Sequence, residues 1–246
     1  MNGLVATILA LSLLLTAAGG FVALKLSKRM QWVTAFTSGV LIAVAVVTLL
    51  PEAFVLEHQR VGLGDSHREV LQLAGIGFLV FYLLDLAVPE RHEAGHEHHR
   101  HAPKEPRVVG LLGALLLFVH RLIDGSVVMA ASSAGVETVQ AVGLAVLFHN
   151  FADGLSTVSI LMRDGQSRAR TIFFVLLVSL APVVGAAIAA VLPLPAAFMA
   201  YALAVVAGAF LYIGGSHLFI RDHESQGLLA PFVAALGFAL VVLLRH

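Results

Sequence analysis

Residues 108–131, VVGLLGALLLFVHRLIDGSVVMAA, form an apolar stretch whose only ionisable residues, His120, Arg121 and Asp124, fall close together. As an α-helix rising about 1.5 Å per residue, it covers the roughly 30 Å hydrocarbon core of a bilayer. The next apolar stretch repeats the polar pattern in LFHNFADG, at 147–154. Each stretch therefore carries a histidine, a carboxylate four residues on, and a glycine: His120, Asp124 and Gly125, then His149, Asp153 and Gly154. Positions i and i+4 share one face of a helix, so each offers an imidazole beside a carboxylate. An acidic residue at the centre of a spanning helix costs about 2.5 to 3.5 kcal/mol on insertion scales, so both pairs need a partner. A divalent cation is the partner that both donor types bind.

Working outward, the chain has 246 residues, of which 59% are hydrophobic and 12% charged, the composition of a membrane protein. Eight apolar stretches of spanning length are read at 3–24, 32–56, 70–88, 108–131, 139–162, 171–192, 196–219 and 227–244. The fold class expected is all-α, a polytopic membrane protein of eight transmembrane helices forming a single domain over 1–246. Lys25, Lys28 and Arg29 follow the first stretch and no basic residue precedes it. It is expected to be an uncleaved span with its amino terminus outside. Carried forward, that orientation puts both termini outside and eleven of the fifteen basic residues inside. Arg60, Arg68 and Arg245 lie outside, and Arg121 lies within a span. A formal net charge of zero gives no sign of a nucleic-acid partner, and without cysteine there is neither a disulfide nor a thiolate site.

His120 and His149 lie about midway along consecutive, oppositely directed spans, so they sit at similar depth near the bilayer midplane. Two neutral imidazoles and two carboxylates balance one divalent ion. They suit zinc or a neighbouring transition metal better than calcium or magnesium, which prefer all-oxygen sites. Because imidazole must be unprotonated to bind metal, binding is expected to weaken as pH falls past about 6.5.

The motifs HRLIDG and HNFADG together resemble the paired signature of the ZIP family of divalent metal transporters, whose fourth and fifth spans carry motifs such as HNxPEG or HNFTDG. The likeness extends to SGVLIAVAVVTLLPEAF at 38–54, GFLVFYLLD at 77–85 before a His-rich loop, SLAPVVGA at 179–186 and GAFLYIGGSHLF at 208–219. The resemblance implies uptake of zinc, or of iron, manganese or cadmium, toward the cytoplasm through a site between spans 4 and 5. Spans 1, 4, 5 and 6 would slide as one bundle against the rest. It gives His120, Asp124, His149 and Asp153 the ligand roles, and gives Asn150 the position that in many members adds an oxygen to a second, adjacent ion.

Two positions depart from that pattern. Arg121 stands where many members have asparagine, and Ala181, before Pro182, where many have glutamate. A guanidinium keeps its proton at any relevant pH, so the second position should be empty of metal. Two placements are open for Arg121. Paired with Asp124 or Asp153, it would stand where the second cation would be. Turned to Asp85 or Glu52, it would only steady the bundle. A fixed charge about 4 Å from a passing cation raises its energy by about 4 kcal/mol per unit charge at an effective dielectric near 20.

Between spans 3 and 4, residues 91–107 form a His-rich cytoplasmic loop in which His92, His96, His98, His99 and His101 would collect metal weakly near the exit. Glu52 and Asp85 would line the path or snorkel at the interface, and His217 would receive metal or a proton on the way out. Small-residue faces, Gly208 with Ala204 and Gly185 with Ala189, fit packing within the bundle or between copies in a homodimer. The chain is expected to be a multi-pass protein of the plasma membrane, in a bacterium the inner membrane, and not an enzyme. The alternatives are a membrane metal sensor or inactive relative, and a membrane-embedded zinc hydrolase, which would hold a water at an open fourth position.

Overall fold

The computed structural model describes residues 2–61, 66–87, 108–132, 135–192, 194–218 and 229–245, and among the described residues there is no strand. Nine α-helices are present among them: α1 (Asn2–Lys25), α2 (Met30–Ala43), α3 (Leu50–Val61), α4 (Ser66–Ala87), α5 (Val108–Ala131), α6 (Val136–Arg163), α7 (Arg168–Val191), α8 (Ala196–Tyr212) and α9 (Leu229–Arg245). A π-helical segment, Val44–Leu49, joins α2 to α3 as one span, and a second, Ile213–Leu218, extends α8. The first lies just before Pro51, which has no N–H to continue the α-helical ladder. There the Leu50 N–H bonds the Ala45 carbonyl five residues back.

Seven of these helical runs are long and apolar enough to cross a membrane. The protein is therefore an all-α polytopic membrane protein. The eighth expected span corresponds to α9, which at 17 residues is shorter than the about 20 that a straight crossing takes. Residues 219–228 before it, like the His-rich stretch at 91–107, lie outside the described residues.

The helices fall into two groups. In the first, α1 packs along α6, α5 along α7, and α5 and α6 on each other. In the second, α4 packs on α8, α9 on α2, and α3 on α8; α2 against α6 and α5 against α8 join the two groups. Close approach within the first group depends on the two motif glycines. A Cβ at Gly125 would overlap the Pro182 carbonyl of α7, and one at Gly154 the Thr16 carbonyl of α1. Gly185 meets Leu122 and Gly208 meets Ala74, so both small-residue faces are used inside the bundle. Large apolar side chains such as Leu79, Leu83, Phe173, Leu176 and Phe232 remain exposed on the outer faces, as helices in hydrocarbon require.

Candidate metal site

The i, i+4 spacing does what helical geometry dictates: α5 presents His120 and Asp124 on one face, and α6 presents His149 and Asp153 on the face turned toward it. One donor atom from each of the four lies within 4.8 Å of all the others, and all four side chains are buried. His149 Nε2 is 3.3 Å from Asp124 Oδ2 and 3.9 Å from Asp153 Oδ2. His120 Nδ1 is 3.6 Å from Asp124 Oδ1. The imidazoles stack with centroids 5.5 Å apart, and Phe210 of α8 meets His120 edge-on at 5.8 Å. Phe210 therefore brings the second helix group up to the site.

Arg121 is fully buried beside these donors. Its Nη1 donates to Asp124 Oδ2 at 2.9 Å and also to Asn150 Oδ1. Its Nη2 donates to Ser12 Oγ at 2.5 Å and Thr16 Oγ1 at 3.1 Å, both on α1. Nε lies 3.7 Å from Asp153 Oδ2. Of the two placements open from sequence, the guanidinium takes the one between the aspartates.

Several buried polar atoms here lack a hydrogen-bond partner: both ring nitrogens of His120, Asp153 Oδ2, Asn150 Nδ2 and Arg121 Nε. A buried group left so costs about 1 to 3 kcal/mol. The His120 ring nitrogens and Asp153 Oδ2, gathered in one place, offer lone pairs to a cation, whereas Asn150 Nδ2 and Arg121 Nε are N–H donors left without an acceptor. A tetrahedral zinc ion with bonds of about 2.0 to 2.2 Å needs donors roughly 3.3 Å apart, so the four would draw together on loading.

The sequence profile described as ZIP Zinc transporter matches residues 88–245. The chain belongs to the ZIP zinc transporter family. Curated proteins compared with it return no match. ZIP membership makes it a divalent metal transporter, and the buried His and Asp cluster fits a metal site.

Among the other residues singled out from sequence, Asp85 on α4 accepts from the Tyr212 hydroxyl at 2.6 Å. Glu52 is half-buried on α3. The four-donor cluster contains neither. His217 belongs to the segment Ile213–Leu218, but its side chain, like the loop histidines His92, His96, His98, His99 and His101, lies outside the described residues. Sequence reasoning missed Ser12 and Thr16. Their i, i+4 spacing on an otherwise apolar helix was the available signal. It also missed Glu57, fully buried, with the Tyr201 hydroxyl 3.4 Å from Oε1 and 2.7 Å from Glu69 Oε2.

Proposed function

We propose that this ZIP family member carries zinc across the plasma membrane toward the cytoplasm, binding it at His120, Asp124, His149 and Asp153. The observation that carries the reading is the gathering of four buried nitrogen and oxygen donors from two antiparallel spans within 4.8 Å of one another. Neutral imidazoles and carboxylates match zinc, and the same set accepts iron, manganese or cadmium. Asn150 Oδ1 accepts from Arg121, and its second lone pair is the one it would offer a metal.

Movement of the group α1, α5, α6 and α7 against the rest would expose the site to each side in turn, and its tight internal packing favours motion as a unit. Both termini lie outside in this reading, and the whole chain is one transmembrane domain. Its 91–107 loop gathers released metal in the cytoplasm, and Glu52, Asp85 and His217 serve the path. In a bacterium the membrane is the inner one. A homodimer would form through faces other than those of Gly185 and Gly208, which are used inside the bundle. Hydrolysis is disfavoured because four protein donors leave zinc no open position for an activated water.

Zinc uptake into proteoliposomes by the wild type and by His149→Ala tests the proposal. Accumulation by the wild type alone supports it. Zinc bound by the wild type without net flux would mark a sensor and overturn the transport reading.

A further inference from the structure

Arg121 is held from two sides. Nη1 faces the carboxylate of Asp124, while Nη2 is turned to Ser12 and Thr16. These two residues sit one turn apart on α1, buried, and the Thr16 hydroxyl donates its own proton to the Ser12 carbonyl at 2.9 Å. Its lone pairs are therefore left for the guanidinium. The hydroxyls reach this position because α1 lies flush on α6. A Cβ at Gly154 would overlap the Thr16 carbonyl, and one at Gly19 the Phe151 carbonyl. On the other edge, Nε points toward Asp153 Oδ2 from 3.7 Å without a hydrogen bond.

We propose that Ser12 and Thr16 are positioning residues for the cargo ion. By accepting Nη2 they fix Arg121 as a resident cation at one side of the cluster, leaving Asp153 and the Oδ1 side of Asp124 to a single divalent ion. This rests on reading the cluster as the zinc site. With neutral imidazoles, two carboxylates and one guanidinium leave the site one negative charge before loading and one positive charge after it. The charge that α1 holds in place thus lowers affinity for the first ion and opposes a second. Without the α1 hydroxyls, the guanidinium loses both acceptors that hold Nη2 and is free to turn toward Asp153, 3.7 Å from Nε. A guanidinium fork bridging Asp124 and Asp153 would then compete with zinc directly.

Zinc titration and metal counting on the purified full-length protein test this. The double variant Ser12→Ala with Thr16→Val is expected to weaken zinc binding by about tenfold or more, the usual range for outer-shell partners of a metal site. The pair Ser12→Thr with Thr16→Ser keeps both hydroxyls and should stay within about twofold of the wild type. In an Arg121→Gln background, or Arg121→Met should the glutamine variant not fold, the alanine and valine changes should cost less than about twofold, because their effect runs through the guanidinium. Equal weakening in both backgrounds, or none with Arg121 present, would overturn the role given to α1 while His149→Ala still abolished binding. Zinc binding unchanged in His149→Ala would overturn the site reading and this proposal together.

Discussion

On α5 the residue after the histidine is Arg121; on α6 it is Asn150, and otherwise the two His-x-x-x-Asp-Gly turns share their spacing. Their environments differ accordingly. In the α5 turn the carboxylate is engaged, Asp124 accepting from Arg121 and lying 3.3 Å from His149, while both nitrogens of His120 have no hydrogen bond. In the α6 turn the histidine is engaged with Asp124, and Asp153 Oδ2 is without a hydrogen bond. The atoms without a hydrogen bond thus come one residue from each helix, His120 from α5 and Asp153 from α6. Equal spacing supplies equal donors, and the cationic residue on one turn makes their surroundings unequal, holding Asp124 by a hydrogen bond while Asp153 has none at Oδ2. The motif glycines diverge in the same way, Gly125 seating α7 and Gly154 seating α1.

Breaking the engaged carboxylate should have the largest effect. Asp124→Ala leaves Arg121 and His149 without their shared partner. It is expected to lower zinc uptake by roughly a hundredfold or more, and to destabilise the fold by about 3 to 5 kcal/mol, read as a lowered melting temperature in detergent. Asp153→Ala, which removes the unpartnered oxygen, should match it in uptake but cost less stability. Next comes the seating of α1: Gly154→Leu is expected to cost about 1 to 3 kcal/mol by the same measurement, because a backbone carbonyl stands where the side chain must go. A comparable loss at Gly125→Leu would show the two seatings to be equivalent.

Making the turns alike is a smaller and more pointed change. Arg121→Asn should tighten zinc binding by about tenfold, or about 1.4 kcal/mol, and admit a second ion detectable by metal counting. Unchanged affinity and count would mean that the guanidinium does not set the charge of the site. The smallest effect is expected at the histidines of residues 91–107, which lie outside both motifs in the sequence. Replacing His92, His96, His98, His99 and His101 with serine should leave zinc affinity at the four-donor cluster within about twofold, since none of them belongs to its two motifs.

Much of this was legible in the chain. Hydropathy located the helices to within a few residues, because a membrane demands long apolar stretches with internally satisfied backbones. The exceptions have local causes. Around Pro51 the α-helical ladder gives way to a π-helical segment, and α9 is shorter than a full crossing. His120, Asp124, His149 and Asp153 could be picked out because ionisable groups at that depth need a reason. Ser12 and Thr16 could not: small hydroxyls cost little in an apolar helix, bonding their own backbone, as Thr16 does to Ser12.

The amino-acid order alone thus determined what each helix carries and how far along it, since both follow from a one-dimensional count of residues. Which helix stands beside which was decided by tertiary packing. Whether Arg121 would face Asp85 or Asp124, and that α1 would answer it with two hydroxyls from more than a hundred residues away, depended on lateral fit. That fit is set by where glycines let backbones meet, a matter of shape on which hydropathy is silent.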